Sequence, residues 1–113
     1  MSGAVHGKAQ VRLNDQEWAG IRRACEKTLP SGAKVWLFGS RVHPEKRGGD
    51  IDLLVYVPHL PSETALDLQL RLKLGLEDAL GERKTDIVLT PTINHTAEPF
   101  VRLALQDAVL VWP

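Results

Sequence analysis

Leu37-Phe38-Gly39-Ser40-Arg41 and, a few residues on, Gly48-Gly49-Asp50-Ile51-Asp52-Leu53-Leu54 form the stretch that decides how this chain is read. An apolar run ends in Gly-Ser, and a second apolar run opens with two carboxylates around one Ile. Residues two apart on a strand point the same way, so Asp50 and Asp52 share one face while Ile51 and Leu53 share the other. Two carboxylates held side by side repel each other unless something positive sits between them. A hard divalent cation with oxygen ligands, typically Mg²⁺, suits that position. Gly39 lets the backbone approach a phosphate without a Cβ in the way, Ser40 adds a hydroxyl donor, and Arg41 offers a fork of donors.

Downstream, Asp50 to Val57 is apolar on both faces beyond its carboxylates. That pattern predicts a central strand covered on both sides with only its N-terminal end open. Lys84 to Leu89 reads as a third strand with Asp86 near its start. If it runs parallel beside the second, Asp50, Asp52 and Asp86 converge as a carboxylate triad able to hold two metal ions. Asp86 is then the group best placed to accept a nucleophile's proton.

The flanking segments supply helices. Asn14 and Glu17 have capping-box spacing, and Trp18, Ile21, Cys25 and Leu29 follow at helical intervals until Pro30-Ser31-Gly32. Ser62 is read as the cap of a helix from Glu63 to Leu80, with Leu66, Leu70, Leu74 and Leu76 as core residues and Gly81 as its C-cap. Thr96 is read as the cap of a short helix through Leu105, with Pro99 in its first turn. Val109 to Trp112 is a β-prone tail, expected to be a final core strand or part of a partner interface. The order predicts an α/β (α+β) domain with helices packed on a small mixed sheet.

With 113 residues, the chain suits one domain, taken as 13–113 behind a flexible segment at 1–12. Fourteen basic residues balance fourteen acidic ones, which argues against a dedicated nucleic-acid surface. A local basic patch of Arg41, His43, Lys46 and Arg47 is the exception. Cys25 has no partner for an internal disulfide and reads as a small buried side chain. The four histidines lack metal-ligand spacing, and neither a Gly-Lys-Ser/Thr phosphate loop nor a Gly-x-Ser-x-Gly elbow occurs. The first residues lack the apolar core of a secretory signal, and no apolar run nears the ~20 residues of a membrane span. A cytoplasmic protein is expected.

On Gly39-Ser40, Asp50-Ile51-Asp52 and Asp86 together, the chain resembles the nucleotidyltransferase superfamily with the DNA polymerase β-like fold. The wording LFGSR…GGDIDLLV is most similar to its minimal nucleotidyltransferase (MNT) proteins. The loop differs, reading Arg41-Val42-His43-Pro44 where many relatives read Arg-Ala-Arg-Gly, with Arg47 as a substitute for the second Arg. The resemblance implies that Asp50 and Asp52 bind two Mg²⁺ ions, that Asp86 completes the site, and that Gly39 and Ser40 hold a nucleoside triphosphate. It implies transfer of AMP from ATP to a hydroxyl, a tyrosine of a HEPN-domain toxin, with this chain as the antitoxin. The alternatives are a non-catalytic antitoxin that acts by occlusion, and transfer to a small molecule or an RNA end.

Overall fold

Asn14 opens the first helix as its spacing predicts. In the computed structural model, which describes residues 11–43, 45, 49–81 and 83–113, its Oδ1 accepts the Glu17 N–H at 2.8 Å. The Glu17 carboxylate in turn accepts the Asn14 N–H at 3.0 Å. Helix α1 (Asp15–Thr28) ends where Leu29 turns extended ahead of Pro30. Strand β1 (Lys34–Phe38) runs into a tight 3-10 turn at Gly39–Val42. Then follow β2 (Ile51–Tyr56), α2 (Ser62–Leu80), β3 (Thr85–Thr90), the short α3 (Pro99–Ala104) and β4 (Val109–Trp112).

The strands form one mixed sheet in the order β3-β2-β1-β4. β2 lies antiparallel to β1 and parallel to β3, and β4 lies antiparallel to β1. β2 is therefore central, and its two-sided apolar pattern finds cover on both sides. Ile51, Leu53 and Val55 face the main core, where Ile21, Cys25, Leu72 and Leu76 of the long helices meet them. On the other side, Leu54 packs with Ala97 and Val101 beside Trp36, Phe38 and Val88. Burial pushes the Cys25 thiol up to about 12, helped by the nearby Glu26 charge, so it is an inert core group.

α1 and α2 approach closely through small residues. A Cβ on Gly20 would stand 2.5 Å from Leu80 Cδ2, and one on Gly75 would already touch Ala24. Along α2, Leu68, Leu72, Leu76 and Leu80 are buried. Gln69 and Lys73 reach the exposed edge of β3 and donate to the carbonyls of Ile87 and Thr85, which blunts that edge.

Four expectations need correction. Of the leucines read as core in α2, only Leu76 is buried, while Leu66, Leu70 and Leu74 are exposed. Leucine recurs at every second position from 66 to 76, so this helix carries leucines on opposite sides and only one side meets the sheet. Ser62 is the first helical residue rather than the cap. Pro61 takes the cap position in extended conformation, and Thr64 Oγ1 donates to its carbonyl at 3.1 Å. Likewise Glu98, not Thr96, precedes α3, because the Asn94 side chain accepts from the Thr96 N–H and holds that residue in the preceding turn. Residues 1–10 of the expected flexible segment lie outside the described residues. Val11 is buried and the Arg12 N–H donates to Arg41 O at 2.8 Å, so these two belong to the fold.

The capping residue Glu17 also does something longer in range. It is 4% exposed, and its carboxylate accepts from Arg41 at 3.0 and 3.3 Å and from Arg83 at 2.8 Å. Arg41 donates further to the carbonyls of Arg12 and Gly49. Burial by itself would raise the Glu17 pKa; Arg41, the Asn14 N–H and Arg83 outweigh it and hold the carboxyl below its ordinary 4.5. A carboxylate lowered on folding stabilises fully above its unfolded pKa, and that contribution is lost as pH falls through the lowered value. Glu17→Gln keeps an acceptor for the cap but leaves Arg41 buried without a counter-charge, at an expected cost of about 3 kcal/mol at neutral pH. Urea titrations should show this gap closing as pH falls below 4.5. An equal gap in acid and at neutral pH would contradict the role given to the pair.

Candidate functional site

The parallel register of β2 and β3 sets Asp52 directly beside Asp86, and the antiparallel register of β1 sets Phe38 on the other side of Asp52. Gly39, the residue just after β1, thereby falls against the Asp52 carboxylate. Asp50 precedes β2 by one residue, and its carboxylate lies 3.9 Å from Lys84 Nζ just ahead of β3. Both strands present their N-terminal ends here, so the sheet gathers three carboxylates at one edge. They sit on the sheet face away from α1 and α2.

Electrostatics follow from that gathering. Partial burial raises the Asp52 pKa above its ordinary 3.8. The charges of Asp86 and Asp50 and a hydrogen bond with Asp86 raise it further, while Lys84 works against them. Among the described residues no three His, Cys, Asp or Glu side chains form a ready-made metal cage. What the fold supplies is a pair of facing carboxylates, with a third at the rim held toward Lys84.

Gly39 has φ +82°, and a Cβ there would stand 2.3 Å from Asp52 Oδ2. The glycine expected to admit a phosphate therefore first makes room for the Asp52 carboxylate. Ser40 follows in the 3-10 turn, its carbonyl accepting the His43 N–H at 3.1 Å. Gly39 and Ser40 line one end of an open cleft of about 610 Å³. Phe38, Phe100, Leu103 and Ala104 make its apolar wall, and His43, Gln106 and Asp107 its polar one. Phe38 and Phe100 meet edge to face, with ring centroids 5.8 Å apart.

Arg41 is the site residue that the structure places elsewhere. It was expected to offer donors to a phosphate, but the tight turn swings it inward and its guanidinium is taken by Glu17 and two backbone carbonyls. Of the expected basic patch, only Arg41 and His43 fall among the described residues. Arg41 is buried, His43 pairs with Asp107 at 3.0 Å, and Lys46 and Arg47 lie outside the described residues. Sequence reasoning also passed over Lys84, Phe100 and the His43–Asp107 pair. Lys84 could have been found, since it sits two residues before Asp86 as Asp50 sits two before Asp52. The pairing of His43 with Asp107 joins segments more than sixty positions apart and leaves no local signal.

A family model described as "Nucleotidyltransferase domain" matches residues 19–110, a span that contains both motif strands and Asp86. No curated protein matches the chain. Among the described residues no helix is long and apolar enough to cross a membrane.

Two outcomes test the geometry of this edge. Gly39→Ala is expected to cost about 1–2 kcal/mol for the left-handed backbone, plus the displacement of Asp52. In an Asp52→Ala background, denaturation should show only the backbone part of that loss. The second concerns charge. A carboxyl whose pKa is raised on folding binds protons more tightly in the native state, so its ionisation weakens the fold as pH rises above 3.8. Asp52→Asn should therefore raise the thermal midpoint in metal-free buffer at neutral pH, and the gain should vanish in acid.

Proposed function

We propose, on the premise that the chain belongs to the nucleotidyltransferase domain family, that it moves AMP from ATP onto a tyrosine hydroxyl of a HEPN-domain toxin and so acts as its antitoxin. Nucleotidyl transfer as a class comes with the family. The donor, the acceptor and the partner are the reading offered here. The observation that carries it is the register of Asp52 against Asp86 with Asp50 at the same edge. Two facing carboxylates with a third at the rim make folding harder without improving the core, which supports reading the edge as a site for chemistry.

The donor set fits Mg²⁺. It is all oxygen and all anionic, and the mutual repulsion that raises Asp52 is what a divalent cation relieves. Asp50, Asp52 and Asp86 would hold it. When bound, the metal supplies charge neutralisation for a triphosphate and acidifies an acceptor hydroxyl.

The chain's own residues account for the remainder. Ser40, at the cleft end, would donate its hydroxyl to a phosphate oxygen, beside a glycine that leaves room for the Asp52 carboxylate. Asp86, at the open end of an edge strand, takes the proton of the attacking hydroxyl. The acceptor oxygen bonds to the α-phosphorus, the bond to the bridging oxygen breaks, and pyrophosphate leaves with that electron pair. Phe100, Leu103 and Leu110 are exposed on the same side of the sheet. An apolar rim of this kind suits an aromatic side chain presented by another protein better than a sugar or an aminoglycoside.

Incubation with labelled ATP, Mg²⁺ and a HEPN partner tests the proposal. Label is expected on a partner tyrosine, and Asp50→Asn or Asp52→Asn should cut its rate by more than about 100-fold. If the native chain leaves the partner unlabelled, the transfer reading is wrong; if it labels the partner but both variants neutralise it equally well, antitoxin action is occlusion.

A further inference from the structure

The outer side of α2 carries a second leucine ladder that neither the core nor the carboxylate edge uses. Leu66, Leu70 and Leu74 are 67%, 53% and 64% exposed. Spaced by four, they line one side of the helix, just beyond Gln69 and Lys73, which reach the β3 edge. α2 covers the sheet face opposite Asp52, so this ladder does not look onto the cleft.

Its charges are arranged around it. Glu63 and Glu77 are exposed on the same side of the helix, one turn pair before and one after Leu70. Neither forms an ion pair among the described residues. Asp67, by contrast, is held by Arg71 at 3.1 Å, and Lys73 is turned to the Thr85 carbonyl. The exposed face is thus three leucines bracketed by two uncompensated carboxylates, spaced about 21 Å apart along the helix.

We propose that this face docks an amphipathic helix of a protein partner whose own apolar ladder is bracketed by Lys or Arg. Charge complementarity selects that occupant. A second copy pairing antiparallel about Leu70 would set Leu66 against Leu74, but it would also set Glu63 against Glu77 at both ends. Like charges there oppose so short a ladder, whereas a basic-bracketed helix turns both contacts into attractions. The same brackets repel anionic lipid and nucleic acid. The surface is separate from the transfer chemistry, so its partner can remain bound while the carboxylate edge stays open.

Two stapled helical peptides of about 18 residues serve as probes, each with leucines at three i, i+4 positions, one bracketed by Lys and the other by Glu. Calorimetry on the full chain should show the Lys-bracketed peptide binding at least about tenfold more tightly, with the preference fading at high salt. Leu70→Gln, an exposed change that leaves the thermal midpoint in place, should abolish binding. Glu63→Lys combined with Glu77→Lys should reverse the preference. Equal binding of both peptides, no binding of either, or binding that survives Leu70→Gln overturns the proposal. So does a dimer in sedimentation that Leu70→Gln dissolves, which would make a second copy the occupant.

Discussion

The Glu17–Arg41 ion pair is the contact on which the rest of this structure depends. Glu17 belongs to the cap of α1, yet its carboxylate also receives Arg41 from the turn after β1 and Arg83 from just before β3. Arg41 continues to the carbonyl of Gly49, the residue before Asp50. One buried knot therefore holds the segments that lead into both carboxylate-bearing strands. A buried pair of this kind contributes little net stability over a well-packed apolar substitute. Its value here is positional, because it fixes where β2 and β3 begin and hence where Asp50, Asp52 and Asp86 stand.

That positioning works against local comfort. Asp52 sits partly buried between two other carboxylates, and Gly39 adopts a left-handed conformation where any Cβ would collide with it. The apolar interior of β2 supplies the compensation. Ile51, Leu53, Leu54 and Val55 are fully buried on the two faces of the central strand and hold the strained end in place. Strain and charge are thus confined to the open end of an otherwise ordinary core strand.

The two faces of the sheet divide the labour. The face under α1 and α2 holds the main core. Among the described residues the other carries Asp52, Asp86, the cleft and only the short α3. α2 adds a further asymmetry, since its buried ladder seals the core and its exposed ladder faces outward. A helix needs only one apolar side to fold, and the second is available for association.

Local chemistry was legible from residues alone. The Gly-Ser turn, the paired aspartates, the capping box of Asn14 and Glu17, the Gly81 stop and the order of strands and helices all rest on short-range geometry, which periodicity and turn residues encode directly. Tertiary structure decided what depends on partners distant in the chain. The parallel register that turns Asp86 from a strand residue into a neighbour of Asp52 is one case. The inward swing of Arg41 to Glu17 is another, since a guanidinium after Gly-Ser looks the same in sequence whether it meets a phosphate or a buried carboxylate. The third is the choice between the two leucine ladders of α2. Both are built of leucine, and the approach of Gly20 and Gly75 between the helices, with Gln69 and Lys73 at the β3 edge, determines which one water reaches.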